Sequence, residues 1–305
     1  MNALQEFETY LHNKGRSVLT IKGYCSDIRC FALWFEQTKK EPFALQAVTS
    51  MDVMRYCHME GIKNSTSNRR LASLSAFMRW AADTGVIGQD PTLESVPVRP
   101  PRRVPVKYLD KEQQLALLQA IGRNLNIAYT RYPKRWRTHQ RDASVVIFLL
   151  DTGLRIHEAL NLRMKDLDID KQKGRVTVRE KGKVSRSVPL STEALKALKV
   201  WLSVRRSLDN EYVWVAVEPK EATDNMALSA RTLQKIVLRA GQDADLPHLT
   251  PNILRYTFAK NLVDRGVGLE KVAALLGVGL RTAALAYFAV SKPSDDDLEQ
   301  AIAKI

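Results

Sequence analysis

Cysteine is scarce in this sequence. Only Cys25, Cys30 and Cys57 occur among 305 residues, and no two of them form a CxxC pair. A disulfide framework needs an even and larger set of cysteines, and a structural zinc site needs closely spaced cysteine or histidine ligands. The sequence therefore indicates a reducing compartment, and it predicts neither disulfides nor a metal site.

Long apolar runs are missing as well. No stretch reaches the roughly 18 apolar residues that would suggest a membrane-spanning helix. Segment 1–17 contains acidic side chains and has no apolar core of the kind found in signal peptides. We therefore expect a cytoplasmic protein with no membrane partner, associated with the bacterial nucleoid if its partner is DNA.

Acidic residues are outnumbered by basic ones. The chain has 47 Lys and Arg against 33 Asp and Glu, for a formal net charge of +14. Such a charge attracts polyanions, and neutralising the phosphates of a nucleic acid releases condensed counterions. Nucleic acid is thus the first candidate partner. A basic surface without a specific partner is the alternative.

Helical spacing dominates residues 1–92, which we predict to be a small helical domain. Apolar side chains recur at helical intervals, as in Leu4, Phe7 and Leu11. Segment 64–66, Asn-Ser-Thr, is a candidate N-cap for a later helix. Arg69 and Arg70 lie near the start of that helix and are candidate DNA contacts.

Proline and arginine are concentrated in residues 93–106. Four prolines within this segment prevent a helix and favour extended backbone. We predict an interdomain linker here that is stiffer than a Gly/Ser tether. Arg102 and Arg103 would suit a strap across a phosphate backbone, and a solvated basic linker is the equal alternative.

Residues 107–305 are predicted to form a second, mixed domain. Asp110, Ser191 and Thr250 are candidate helix N-caps. Alternating residues 174–179 and 184–190 predict a β-hairpin whose turn carries Lys181 and Lys183.

Segment 123–142 interleaves basic and aromatic residues. This composition suits phosphate contact through Lys134, Arg135 and Arg137. An insertion folded on the surface is the other interpretation. A buried helix is expected to follow over residues 143–152.

Four short motifs carry candidate chemistry, and each is weak alone. They are the arginine of Thr152-Gly153-Leu154-Arg155, Lys181 in the hairpin turn, Asn252 and Arg255 three residues apart in one helix, and Tyr287 nine residues beyond Val278. An arginine at a helix entrance can direct its planar fork into a cleft. In order and spacing, the motifs together resemble the tyrosine recombinase family, which includes the phage integrases and Xer-like proteins.

The resemblance extends into the first domain, so it covers nearly the whole chain. Two helix patterns there are similar to those of the family's core-binding domain: Thr20, Tyr24, Asp27 and Phe31, then Asn68, Arg69, Arg70, Leu71, Leu74 and Phe77. The family implies a mainly α-helical fold with a small β-hairpin or sheet, in which an N-terminal SAM-like core-binding bundle precedes a mixed α/β catalytic domain. Because the sequence opens on the core-binding pattern, we expect no separate arm-binding domain.

The family resemblance also implies roles. Arg155 and Arg255 would clamp the scissile phosphate, Lys181 would protonate the leaving 5′-oxygen, and Tyr287 would form a 3′-phosphotyrosyl link without metal, cofactor or ATP. The implied partners are a double-stranded DNA site and further copies of this chain, two per site and four per synapse. Such copies would be joined by the C-terminal helix that starts near Ser294.

Two positions depart from the family pattern. Asn252 and Val278 stand where the family has histidines. Asparagine can hydrogen-bond a phosphate oxygen but cannot accept a tyrosine proton at neutral pH, and valine can do neither. Three readings stay open. Cleavage proceeds at a reduced rate, or His157 or His248 supplies the missing function, or the protein binds and bridges DNA with weak or no cleavage.

Overall fold

The structure is a computed structural model that describes residues 2–93, 107–179, 185–205, 210–217, 227–280 and 283. The chain divides into two units, Met1–Val104 and Pro105–Ile305. Across the described ranges helices predominate and one small antiparallel sheet occurs, which confirms the expected fold class. No helix in these ranges is long and apolar enough to cross a membrane. The predicted linker lies almost entirely outside the described residues, as do Arg102 and Arg103.

The first unit is helical throughout its described part. Its elements are α1 (Asn2–Asn13), α2 (Val18–Lys39), a 3-10 turn (Leu45–Ala47), α3 (Ser50–Cys57) and α4 (Asn64–Asp83). Ser17 caps α2 by accepting the backbone N–H of Thr20 at 3.1 Å. Thr49 and Asp52 form a reciprocal capping box at the start of α3. Local side-chain chemistry therefore sets where both helices begin.

The start of α4 differs from the prediction. Residues 64–66 already belong to the helix, and Lys63 occupies the N-cap position without a side-chain hydrogen bond. The expected cap at segment 64–66 was therefore wrong. These short polar residues have helical backbone, so they lie in the first turn and not at the capping position that their composition suggested.

Aromatic packing forms the core of the first unit. The Phe31 side chain is fully buried, and its ring lies 5.2 Å from that of Tyr56 and 5.9 Å from that of Phe43, centroid to centroid. Both contacts are edge-to-face, the arrangement that aromatic quadrupoles favour. Through one side chain, α2 is thus joined to α3 and to the segment that precedes the 3-10 turn.

A buried carboxylate connects α2 to α4. Asp27 accepts a hydrogen bond from the Ser73 hydroxyl at 2.7 Å, and Arg69 forms an ion pair with the same carboxylate. Burial of a charge is costly unless it is paired and hydrogen-bonded, so this pairing explains why Asp27 is tolerated.

The second unit surrounds a central helix. Its helices are α5 (Lys111–Arg131), α6 (Trp136–Thr152), α7 (Ile156–Leu160), α8 (Thr192–Val204), α9 (Ala230–Gln242), α10 (Pro251–Asp264) and α11 (Leu269–Leu276), with a 3-10 turn at Met164–Asp166. Helix α6 packs against α5, α8, α9 and α10. Asp110, Ser191 and Thr250 cap α5, α8 and α10 as predicted.

The sheet has three antiparallel strands in the order β1 (Leu167–Ile169), β2 (Gly174–Val178) and β3 (Arg186–Pro189). In the hairpin, Val176 pairs with Val188, and both are buried. The two hairpin strands confirm the alternation seen in the sequence. Strand β1 was not predicted, because three residues are too few to show a period of two.

Segment 123–142 is helical on both sides of one short turn. It contains the end of α5, a short turn and the first residues of α6, so the helix expected over 143–152 begins earlier, at Trp136. The aromatic residues pack on neighbours: Tyr129 stacks on Trp136 at 5.1 Å, and Tyr132 stacks on His139 at 6.5 Å. The arginine-rich composition concealed the helical pattern on both sides of the turn.

We predict that Phe31→Ala destabilises the protein by about 3–5 kcal/mol, because it removes a fully buried ring and leaves a cavity. Leu33→Ala is the matched control on the same helix: Leu33 is 58% exposed, so its change should stay within about 0.5 kcal/mol. Chemical denaturation measures both. Equal effects would contradict the described packing of α2.

Candidate active site

Arg155 lies at the turn that joins α6 to α7. Gly153 ends α6 in the left-handed region with φ 60°, and a Cβ at this position would meet a ring carbon of Phe258 at 2.4 Å. Glycine is therefore required both by the backbone and by the close approach of α10. Leu154 is buried, and Arg155 takes the N-cap position of α7, the helix entrance that the sequence motif predicts.

Arg255 projects from the second turn of α10 into the interior. Thr250 caps this helix and Pro251 occupies its first position, which fixes where the helix starts. Arg255 is buried; its Nη1 donates to the Gly153 carbonyl and its Nη2 to the Leu276 carbonyl, each at 2.6 Å. Helix α10 is thereby joined to the ends of α6 and α11.

The structure brings Arg155 and Arg255 together. Arg155 Nη1 lies 3.4 Å from the Leu276 carbonyl oxygen, the same acceptor that Arg255 uses, and Arg155 Nη2 donates to the Gly277 carbonyl at 3.1 Å. These carbonyls end α11, where backbone acceptors lack helical partners and the helix dipole is negative. Two guanidinium groups therefore converge on one helix C-terminus.

Glu158, a residue with no predicted role, contacts both of these arginines. One carboxylate oxygen accepts the Arg155 backbone N–H at 2.7 Å and the other accepts Arg155 Nη1 at 2.8 Å. A third arginine, Arg186 of β3, donates to both oxygens, at 3.0 and 2.8 Å. Arg255 Nη1 is 3.9 Å from the same carboxylate.

The sequence contains local signals for both Glu158 and Arg186. Glu158 follows Arg155 by three residues, a spacing that places both at the start of one helix, where an acidic side chain can cap the backbone. Arg186 lies two residues before Val188 in β3, and side chains two apart in a strand lie on the same face. Arg186 is therefore on the face of a core residue. Their mutual contact, however, depends on the fold of the hairpin against α7.

The electrostatics of the cluster favour the ionised form of Glu158. Burial alone would raise the pKa of Glu158, but hydrogen bonds from Arg186 and from the Arg155 backbone lower it to about 2. Burial lowers the pKa of Arg255 to about 10, and repulsion by Arg155 adds to this effect. At neutral pH, three guanidinium cations therefore surround one carboxylate, which leaves the cluster positively charged.

Asn252 and Val278 occupy different surroundings. Asn252 is exposed in the first turn of α10. Val278 is half-buried and packs with the apolar cluster of Ala259, Val272 and Leu276. His157 and His248 are both exposed. The roles considered for Asn252, His157 and His248 remain predictions.

Several candidate residues cannot be compared with this geometry. Lys181, Lys183 and Tyr287 lie outside the described residues, as do Arg102, Arg103 and the segment from Ser294. Within the parts of the chain that are described, no group of three or more metal-ligating side chains occurs. Of the predicted catalytic residues, the structure therefore describes Arg155, Asn252 and Arg255.

The candidate DNA contacts of the first unit have partners within that unit. Arg69 pairs with Asp27 while its side chain stays 55% exposed. Arg70 lies over the Tyr56 ring, 4.5 Å from its centroid, and donates to the Tyr56 carbonyl at 3.3 Å. Contact of either arginine with DNA remains a prediction.

The candidate contacts of the second unit lie at the connection between α5 and α6. Lys134 and Arg135 are exposed, whereas Arg137 is half-buried and lies over the Trp136 ring, 5.5 Å from its centroid. The surface available to a phosphate therefore differs among the three. Their binding to DNA is likewise still a prediction.

Two family models match the chain. The model described as the phage integrase family matches residues 107–291, and the model described as the phage integrase N-terminal SAM-like domain matches residues 4–85. These matches confirm the resemblance that was inferred from the order and spacing of the motifs.

Named relatives agree with the family models. The chain is 31% identical to tyrosine recombinase XerC of Corynebacterium glutamicum, over 86% of this chain and 79% of that protein. It is 30% identical to tyrosine recombinase XerA of Thermococcus kodakarensis, over 90% of this chain and 86% of that protein.

Solved structures share the fold. A XerH site-specific recombinase bound to a palindromic difH substrate is similar with a TM-score of 0.72 and 20% identity, covering 95% of this chain and 80% of that one. A lambda integrase dimer bound to a core site has a TM-score of 0.67 and 18% identity, covering 96% and 97%.

Glu158→Gln should lower the free energy of unfolding at neutral pH. It should also remove the part of the pH dependence of that free energy that the Glu158 carboxylate causes. The pKa falls from an ordinary 4.5 to about 2 on folding, which corresponds to roughly 3 kcal/mol. Because the folded pKa is the lower one, this stabilisation is present above about pH 4.5 and is lost as the pH falls towards 2.

Chemical denaturation of wild type and Glu158→Gln between pH 7 and pH 3 measures this effect. The stability gap between them should narrow as the solution becomes acidic. Glu193→Gln, at an exposed position in the first turn of α8, is the control and should show little gap at any pH. A gap for Glu158→Gln that stays constant with pH would contradict the prediction.

Proposed function

Because the chain belongs to the phage integrase family and is a tyrosine-type site-specific recombinase, we propose that it cuts and rejoins DNA through a 3′-phosphotyrosyl intermediate at Tyr287. The observation that carries the proposal is the convergence of Arg155 and Arg255 at the end of α11. Two guanidinium forks at one point are suited to the two non-bridging oxygens of a phosphodiester.

The arginine pair would act on the transition state. Attack on the scissile phosphorus adds negative charge to its oxygens, and donors placed beforehand stabilise that charge with little reorganisation. Both arginines already donate to carbonyl oxygens, which are acceptors like those of phosphate. Exchanging one acceptor for another therefore retains the hydrogen bonds of the clamp.

Tyr287 and Lys181 would carry the covalent step. The Tyr287 oxygen forms a bond to phosphorus while the bond to the 5′-oxygen breaks, and Lys181 gives that oxygen a proton. General acids of this kind contribute roughly 10²–10⁴-fold to a rate. The phosphotyrosyl bond conserves the energy of the diester, so a 5′-hydroxyl of the partner strand can reverse the step and rejoin DNA without ATP.

Removal of the tyrosine proton is the step for which this chain departs from its family. Asn252 donates or accepts hydrogen bonds but does not take up a proton at neutral pH, and Val278 does neither. We propose that cleavage proceeds on the two arginines, Lys181 and Tyr287, with the tyrosine proton passing to solvent water, at a reduced rate. A protein that binds and synapses DNA without cleavage is the second candidate, favoured by the apolar packing of Val278.

Double-stranded DNA is the proposed partner. The formal net charge of +14 favours a polyanion, and the relatives in solved structures are described as bound to recombination sites. We propose one dimer of this chain per site and a tetramer in the synapse, with the segment from Ser294 docking on a neighbour. Head-to-tail contacts of this kind close into a ring.

The proposed DNA contacts divide into three groups. They are Arg69 and Arg70 in the first unit, Arg102 and Arg103 in the linker, and Lys134, Arg135, Arg137 and Lys183 in the second unit. Contacts of lysine and arginine to phosphate position a protein on DNA and make its affinity depend on salt. They do not by themselves define the target sequence.

Tyr287→Phe should abolish the covalent protein–DNA adduct that wild type forms on a suicide substrate. The substrate is duplex DNA from the flanks of the gene's own locus, nicked just 3′ of the cleavage point so that the short fragment bearing the freed 5′-hydroxyl diffuses away. Phenylalanine keeps the ring and removes the attacking oxygen. Denaturing gel electrophoresis measures the adduct, and Tyr256→Phe, next to Arg255, is the control that should still form it. Equal adduct from wild type and Tyr287→Phe would show that another residue is the nucleophile.

Asn252→His combined with Val278→His should increase the cleavage rate, since it restores the groups that the family uses. An added acid–base group at a site that is otherwise complete gives roughly 10²-fold or more. Single-turnover cleavage measures the rate. Asn252→His alone is the control for misfolding caused by the change at Val278, because position 252 is exposed and tolerates the change without repacking. A double variant that folds, binds DNA and cleaves no faster would count against an intact clamp.

A further inference from the structure

A third arginine, Arg186, lies within the cluster around Glu158. Its side chain is 12% exposed, against 31% for Arg155. Nη1 and Nη2 donate to the two oxygens of Glu158 at 3.0 and 2.8 Å, and Nε donates to the Leu275 carbonyl at 2.9 Å. A planar fork on a carboxylate is the strongest geometry available to this pair of side chains.

We infer that Arg186 is a positioning residue for strand cleavage, acting through Glu158 and through the end of α11. The inference rests on the proposed function for its effect on cleavage. Its fork is committed to Glu158, and it is less exposed than Arg155. Arg186 therefore acts on the phosphate through Arg155 and Arg255, not by direct contact.

The first consequence is electrostatic. Three guanidinium cations and one carboxylate leave two formal positive charges in the cluster, and the loss of Arg186 would leave one. A phosphodiester carries one negative charge and gains more in the transition state. Without Arg186, Glu158 would also draw its remaining partner, Arg155, more strongly and oppose its movement to a phosphate. Cleavage should suffer more than ground-state binding, because charge develops in the transition state.

The second consequence is mechanical. Three successive carbonyls at the end of α11 accept hydrogen bonds from three arginines: Leu275 from Arg186, Leu276 from Arg255, and Gly277 from Arg155. In the sequence, Tyr287 follows Gly277 by ten residues, and Lys181 precedes β3 by five. Arg186 therefore connects β3 to the start of α7, which bears Arg155, and to the end of α11.

Arg186→Gln tests the inference by single-turnover cleavage of the suicide substrate. Loss of hydrogen bonds between charged partners should slow cleavage roughly 10- to 100-fold. Equilibrium affinity for the same DNA should stay within about threefold, because affinity depends on many phosphate contacts. Arg186→Lys keeps the charge without the fork, so it should recover part of the loss. Arg175→Gln, at an exposed position of β2, removes the same charge elsewhere on the sheet and is the control.

A double-mutant cycle with Glu158→Gln separates positioning from general destabilisation. If Arg186 acts through Glu158, the double variant should lose less activity than the product of the two single losses. Additive losses would overturn the inference. So would an Arg186→Gln variant that cleaves within threefold of Arg175→Gln, or an Arg186→Lys variant no better than Arg186→Gln.

Amide hydrogen exchange in residues 269–278 of the free protein provides a readout that needs no cleavage. Exchange at the end of α11 should be faster in Arg186→Gln than in Arg175→Gln, because a hydrogen bond to Leu275 is lost. If wild type formed no Tyr287-dependent adduct, the proposed function would fail, while exchange would still decide whether Arg186 holds α11. Unchanged exchange would overturn the inference whatever the adduct assay shows.

Discussion

The ion-paired burial of Glu158 is the interaction on which the described site depends. Removing one partner of a buried charge pair commonly costs about 3–5 kcal/mol, because the other charge is left uncompensated. Here one carboxylate is shared by Arg155 and Arg186, and Arg255 lies 3.9 Å away. A strand, a short helix and a long helix are thereby held at one point. Without this carboxylate, cations would face one another inside the protein.

Guanidinium groups gathered at one point need hydrogen-bond acceptors within the protein. The end of α11 supplies them as backbone carbonyls that have no partner within their own helix. The negative end of the helix dipole adds to the attraction. The arrangement keeps the guanidinium groups hydrogen-bonded, and under the proposed function a phosphate that replaced these acceptors would meet donors already oriented. Organisation of this kind reduces the reorganisation that slows charged transition states.

The two departures from the family pattern lie outside the described network of charged side chains. Arg155, Glu158 and Arg255 occupy one connected network, whereas Asn252 is exposed and Val278 packs with apolar neighbours. Stabilisation of phosphate charge and removal of a tyrosine proton are separate physical tasks, so losing the second does not remove the first. A recombinase that cleaves slowly is consistent with this division.

Helical periodicity in the sequence was sufficient for the fold class, because it depends on residues close in the chain. The order and spacing of the motifs along the chain were sufficient for the family, because both can be counted without knowing the fold. The caps Asp110, Ser191 and Thr250 were likewise local and predictable. The N-cap expected at segment 64–66 was wrong and strand β1 was not predicted, because such short runs are too brief to show a periodicity. The partners of Arg186 and Arg255 could not be read from the sequence, because Glu158, Leu276 and Gly153 come from distant segments. Only tertiary structure decided that these arginines share a carboxylate and a helix end, since buried charges select partners by proximity in space.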